Sequence, residues 1–227
     1  MDSLRTKQID REYFWKNLQG IRPINSRQVT GIQDILDHFD ANHYDMTLGG
    51  LASYLGQAGT ETPNWLPIRE MGGYSYFRYL IGKGLGVDNM KEAWMFRGWG
   101  RVQTTGETGF YRAVGIINAH VGFKRFDSPH ALGEWLLDKN HDTDAESEYD
   151  LIVSFTCCSK GLYTGRKFND FSGIGEGGSY DFYNARKVIN PGQITVAKRN
   201  PNGHHARMLN QIVHDSKVFY NALRFTE

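Results

Sequence analysis

Two consecutive stretches place their apolar residues at helical spacing, and that spacing limits the fold more than any other feature of the chain. In SRQVTGIQDILDHFD (26–40), Val29, Ile32, Leu36 and Phe39 fall on one stripe, with Ser26 placed as an N-cap. In MTLGGLASYLGQAG (46–59), Leu48, Leu51, Ala52, Leu55 and Ala58 repeat the pattern, with Thr47 as the candidate cap. The second helix is expected to end close to Glu61, because Pro63 disfavours helical geometry at Thr62. A chain that opens this way must bury two amphipathic helices against something else.

From Gly72 to Gly115 the texture changes to glycine interleaved with aromatic and β-branched residues: GGYSYFRYLIGKGLG, then AWMFRGWGRVQTTGETGFYRAVG. Short strands and turns are the expectation for 72–115, as a small antiparallel sheet or hairpin. Helical patterns then return. SPHALGEWLLDK has Ser128 as a cap and Pro129 at the first helical position, and ESEYDLIVSFTCCSKG runs to a terminal Gly161. YDFYNARKVIN follows, and the last segment carries Leu209, Ile212, Val213, Phe219 and Leu223. Nothing repeats at a fixed period and no long linker interrupts the chain. The expected fold is therefore mainly α (α+β), one domain over 1–227 with a β-rich insertion at about 72–115.

Composition decides which functions are open. The 26 Lys and Arg against 25 Asp and Glu leave a net charge of +1, which removes the simplest argument for a nucleic-acid partner. Asp10, Arg11 and Glu12 interrupt the region where a secretory signal needs an apolar run, and no run approaches the length of a membrane span. The expectation is a chain made in a cytoplasm without stable membrane insertion. Cys157 and Cys158 are adjacent, so a bridge between them is strained and staples nothing; free thiols are expected.

The segment TETPNWLPIRE holds Glu61 and Glu70 on either side of a Pro-Asn-Trp-Leu-Pro stretch. Two carboxylates hydrolyse a glycosidic bond when one is kept protonated to donate to the leaving oxygen and the other polarises a water or the forming cation. They must sit in different environments. Glu61 follows an apolar helix and precedes Trp65, whereas Glu70 lies beside Arg69 and just before Gly72 and Gly73. Spacing alone does not separate this pair from two solvated surface charges. The aromatic run Tyr74, Tyr76, Phe77 and Tyr79 partly alternates at strand period, so one face is expected in the core and the other is free to stack on sugar rings.

LASYLGQAGTETPNWLPIRE, then GGYSYF, then FRGWGRVQTT, in that order, resembles glycoside hydrolase family 19, the chitinases and phage endolysins of the lysozyme superfamily. SRQVTGIQDILDHF is similar to the helix preceding the catalytic one, and GLYTGRKFNDF with NARKVIN to the C-terminal half. The resemblance implies a lysozyme-like helical domain. It implies Glu61 as the general acid and Glu70 as the second carboxylate. It implies Thr105 as the hydroxyl that helps hold the water, Gln103 and Asn190 as sugar contacts, and Tyr74 on the aromatic wall of the cleft. Thr60, Trp99, Gly109 and Pro191 depart from the pattern, where His, Arg, Asn and Gly are usual.

The function so implied is cleavage of the peptidoglycan glycan backbone by an N-acetylmuramidase-like phage lysin that needs no cofactor or metal, acts as a monomer, and has bacterial peptidoglycan as its partner. An inverting route places the two carboxyl groups about 6.5 to 9.5 Å apart and a retaining one about 5 to 5.5 Å. A wall enzyme made in the host cytoplasm is released by a membrane-permeabilising, holin-type protein or delivered in a virion. Chitin is the alternative substrate, and a non-catalytic wall-binding or virion structural protein is the alternative class.

Other motifs point elsewhere only in isolation. GIGEGG (173–178) matches Gly-x-Gly-x-x-Gly, but no strand precedes it, so it reads as a loop. The eight histidines include no HExxH, and no CxxC occurs, so a zinc site is not expected. Cys157 and Cys158 follow Ile152, Val153 and Phe155, the pattern of a buried helix and not of an exposed nucleophile.

Overall fold

A computed structural model describes residues 8–21, 23–42 and 44–226, and it is mainly helical. The described residues form two compact units, one running to Trp65 and resuming at Cys157, the other spanning Leu66–Thr156.

The first unit opens with α1 (Arg11–Ile21), α2 (Ser26–Ala41) and α3 (Leu48–Glu61). The cap of α2 is Asn25, one residue earlier than the sequence suggested: its side chain accepts from the Gln28 N–H while Gln28 reaches back to the Asn25 N–H, a reciprocal capping box. Ile32, Leu36 and Phe39 of the expected stripe are buried. Thr47 caps α3 as expected, its hydroxyl accepting from the Gly50 N–H at 3.2 Å, and the helix ends at Glu61 just before Pro63.

The second unit begins with a 3-10 helix at Tyr74–Leu80 and continues with α4 (Met90–Met95), α5 (Gly106–Val121), α6 (Pro129–Leu137) and α7 (Thr143–Lys160), the last entering the first unit at Cys157. Ser128 caps α6 with Pro129 at its first position, and α7 stops at Gly161, whose φ of +72° is the left-handed stop that glycine permits.

The sheet expected over 72–115 is not seen among the described residues. Instead of alternating, YSYFRYL buries Phe77 and Leu80, three residues apart, which is the period of a 3-10 turn and not of a strand. In α5 the buried set Phe110, Ala113, Val114 and Ile117 is spaced by three and four, so GETGFYRAVG belongs to a helix despite its glycines. What extended pairing the described residues of this unit show is two single bridges, Arg69 with Trp99 and Trp99 with Thr104. Trp99 is fully buried, 6.1 Å ring to ring from Phe110, and its indole N–H donates to Glu146 at 3.0 Å. Arg101 and Asp150 form a buried ion pair at 2.7 Å behind the same loop.

The first unit closes with a 3-10 helix at Phe168–Phe171, α8 (Phe182–Ala185), a further 3-10 turn at Arg186–Val188, α9 (Pro191–Arg199) and α10 (His204–Ala222). Its main packing is α3 against α10. The two backbones approach so closely that a Cβ at Gly56 would collide with the Ser216 hydroxyl and lie 2.8 Å from the Ser216 amide nitrogen, so only glycine fits there. Phe219 stacks on Phe14 at 6.4 Å and meets Trp65 edge-on at 5.8 Å. Burying aromatic and aliphatic side chains of this kind contributes about 1.5–3 kcal/mol each. Cys157 and Cys158 are buried and in no disulfide, and no helix among the described residues is long and apolar enough to cross a membrane.

Candidate functional site

Glu61 and Asn190 belong to the first unit, whereas Glu70, Tyr74, Gln103 and Thr105 belong to the second. Each unit surrounds its glutamate with a distinct set of partners.

Glu61 is the last residue of α3, and Gln57 lies one turn earlier on the same helix face. A glutamine in a stretch where every residue from Gly49 to Ala58 is buried needs a polar partner. That partner is Arg186, at the turn between α8 and α9, itself only 1% exposed. Its guanidinium spends one nitrogen on each of three side chains. Nη1 donates to Gln57 Oε1 at 3.1 Å, Nε to Gln193 Oε1 at 2.6 Å, and Nη2 to Glu61 Oε1 in a very short ion pair. The planar fork of arginine suits this division, and a lysine would not reproduce it. Glu61 keeps 20% of its side chain exposed, and Oε2 takes no hydrogen bond among the described residues.

Asn190 enters the same assembly from the other side. It caps α9, its Oδ1 accepting from the Gln193 N–H at 3.2 Å, and so holds the residue whose amide oxygen receives Arg186. Thr60, the residue before Glu61, donates its hydroxyl to the Gly56 carbonyl at 3.1 Å within its own helix and contributes nothing to the carboxylate.

In the second unit, Glu70 is fixed at its main chain and at its side chain. Its N–H donates to the Gly98 carbonyl at 2.7 Å, and its Oε2 accepts from the Gly98 N–H at 3.2 Å. The Tyr79 hydroxyl donates to both carboxylate oxygens, at 2.9 and 3.1 Å. Gln103 stands on the other side of Gly98: a Cβ there would collide with Gln103 Oε1 and lie 3.1 Å from Glu70 Oε2, so the glycine before Trp99 is what lets the two side chains approach. The Gln103 amide nitrogen donates to the Gly100 carbonyl at 2.7 Å, and the Thr105 hydroxyl donates to the Gln103 carbonyl at 2.8 Å. Gln103 has φ of 60°, a left-handed conformation that costs a non-glycine residue about 1 kcal/mol or more and persists only where the surroundings enforce it.

Tyr74 is exposed, its ring 5.8 Å from Trp94. Arg97 lies flat over that same Trp94, 3.9 Å from the ring centroid, and its Nε donates to the Glu70 carbonyl at 3.3 Å. Burial, and after it the Arg97 charge, brings Arg69 down to about 9. Its Nη2 donates to the Met95 carbonyl at 2.5 Å, while Nε and Nη1 are buried without a partner. Below the loop, His141 Nε2 donates to Glu146 Oε2 at 2.6 Å. Burial alone would depress its imidazole, but the bonds to Glu146 and to the Asp138 carbonyl outweigh burial and hold the pKa above its ordinary value.

Of the expected residues, the structure therefore gathers Glu70 and Gln103 around Gly98, with Thr105 bonded to the Gln103 carbonyl, and ties Glu61 and Asn190 to one buried arginine. Sequence reasoning missed Gln57, Arg186 and Gln193 around Glu61, and Tyr79 around Glu70. Gln57 was findable as the lone amide on an apolar helix; Arg186, 125 residues from Glu61, carried no local signal. A cavity of about 350 Å³ in the first unit, lined by Tyr183, Ala197, Lys198, Pro201, Ala206, Leu209 and Asn210, includes none of the expected residues. No group of three His, Cys, Asp or Glu side chains suited to a metal ion occurs among the described residues. No family model matches the chain, and neither a curated protein nor a solved structure matches it.

Proposed function

We propose that the chain is a phage-type peptidoglycan hydrolase with a lysozyme-like fold, related to glycoside hydrolase family 19, that cleaves the glycan backbone of the bacterial wall with Glu61 as general acid and Glu70 as general base. The observation that carries this reading is that both carboxylates are held by dedicated partners while remaining partly open to solvent. A surface charge without function has no need of a bifurcated phenol donor. In the first unit, Arg186 grips Glu61 through Oε1 and leaves Oε2 without a hydrogen bond among the described residues; the ion pair is made by the carboxylate, so Glu61 must take up a proton before it acts as the acid. In the second, the Thr105 hydroxyl donates its hydrogen bond to the Gln103 carbonyl, which leaves its lone pairs free to accept from the attacking water. Gln103, Asn190 and Tyr74 take the sugar contacts. The protein is made in the host cytoplasm and reaches the wall after holin-type release or in a virion, and it works without a metal.

A second reading has its own support. Glu61 is the charged partner of a fully buried guanidinium, a role that a non-catalytic wall-binding relative would also require. The two readings part in one experiment: release of reducing ends from purified peptidoglycan, with chitin in parallel, by wild type, Glu61→Gln and Glu70→Gln, with mass spectrometry of the fragments. Hydrolysis by wild type that falls by a factor of about 100 or more in each folded variant supports the hydrolase. Saturable adsorption of wild type to walls without new reducing ends refutes it in favour of the binder.

A further inference from the structure

Within nine residues, Met71, Tyr74, Tyr76 and Tyr79 all turn large side chains to solvent, and Tyr79 is the one tied to a carboxylate. The 3-10 helix sets Tyr76 and Tyr79 one turn apart, with ring centroids 5.7 Å from each other. From there the Tyr79 phenol reaches across to Glu70 and bridges both oxygens. The Gly98 N–H meets Oε2 from a second element, so the plane of the carboxylate is set from two sides by neutral donors. The charged neighbours do not do this work. Arg97 bonds the Glu70 main-chain carbonyl and lies over Trp94, and Arg69 spends its bonded nitrogen on the Met95 carbonyl. Gln103 presents an oxygen, not a donor, toward Gly98.

We propose that Tyr79 is a positioning residue for Glu70, holding the plane of the carboxylate through both oxygens so that the base is aimed where it acts. The proposal rests on Glu70 being the base of a glycan hydrolase. Burial, and after it the Glu70 hydrogen bond and charge, holds the Tyr79 phenol well above its ordinary value, so it stays a proton donor over the whole working range. Tyr79 is 46% exposed, so removing its hydroxyl takes away the bond while the ring keeps its contact with Tyr76.

The sign follows from the donor's preference. A phenol that bonds a carboxylate anion favours the anion over its protonated form, so the acidic limb of an activity that needs the anion moves upward when the phenol is lost. A hydrogen bond to a charged group of ordinary strength corresponds to a shift of about one pH unit. The test is the pH profile of kcat/KM on peptidoglycan for wild type and Tyr79→Phe, with the Tyr79 phenol titrated by ¹³Cζ-tyrosine NMR in wild type and Glu70→Gln. The expected result is an acidic limb displaced upward by about one unit in Tyr79→Phe, and a phenol that titrates at lower pH once Glu70 is neutral. An active wild type whose limb does not move in Tyr79→Phe overturns the positioning role and leaves the hydrolase standing. A wild type that hydrolyses nothing overturns both, and the NMR titration then shows separately whether the two side chains are coupled.

Discussion

Arg186 ties the fold of the first unit to Glu61, and the tie has a measurable size. The arginine side chain is 2% exposed and that of Glu61 20%, so the pair lies inside the protein with one edge wet. Removing one member of a buried pair costs about 3–5 kcal/mol, because the remaining charge is left in a medium that solvates it poorly. Glu61→Gln is milder, since the amide oxygen still accepts from Nη2 and water reaches the exposed edge; about 2 kcal/mol is expected, within the range for a hydrogen bond to a charged group. Arg186→Met leaves Glu61, Gln57 and Gln193 without their donor, and about 3–5 kcal/mol is expected. In the double variant the glutamine no longer faces an uncompensated cation, so it should cost no more than Arg186→Met alone, a coupling of about 2 kcal/mol. Urea unfolding of the four proteins measures this directly, and for a chain of this size Glu61→Gln should lower Tm by about 4–8 °C. If the two single effects simply add to within about 0.5 kcal/mol in the double variant, Glu61 does not compensate Arg186 and the reasoning is refuted.

Gly98→Ala introduces a methyl group against Gln103 Oε1 and Glu70 Oε2; a loss of about 1–3 kcal/mol in stability is expected, together with a fall in hydrolysis beyond what the stability loss explains, and unchanged turnover would sink the arrangement described around Glu70. His141 has a folded pKa above its unfolded value, so its contribution to stability is fully present below about pH 6.5 and is lost as the pH rises through the folded value. The Tm of wild type should therefore fall relative to that of His141→Gln as the pH rises above about 6.5, and parallel Tm curves for the two proteins would contradict the assigned shift.

Much of the fold could be read from spacing. The stripes of α2, α3 and α10, the Thr47 and Ser128 caps, the stop before Pro63 and the stop at Gly161 all rest on contacts within a few residues, which a sequence displays. The region 72–115 misled because glycine and aromatic content is shared by strands and by tight 3-10 turns; only the burial of Phe77 with Leu80 and not with its alternate neighbours separates them. Trp99 was read as a lost arginine, yet it is a core residue whose indole donates to Glu146 through a contact 47 residues long. The same limit applied at the glutamates. Their presence was visible, but Arg186 and Tyr79 reach them through tertiary contacts that leave no periodic trace.

The two glutamates are held by different physics, and that decides which of them is the better probe of function. Glu61 is bound to a buried cation, so any neutral substitution there also leaves a charge without its partner, and a loss of activity mixes chemistry with stability. Glu70 is held by a phenol and a backbone N–H, both neutral. Glu70→Gln keeps one acceptor oxygen, at the Oε2 position, that both donors reach, and it breaks no direct ion pair, although Arg69 and Arg97 lose a nearby negative charge, so its stability cost should stay below that of Glu61→Gln. A large loss of hydrolysis in Glu70→Gln at nearly unchanged Tm can therefore be assigned to a proton-transfer role. The same loss in Glu61→Gln can be assigned only after the coupling to Arg186 has been subtracted.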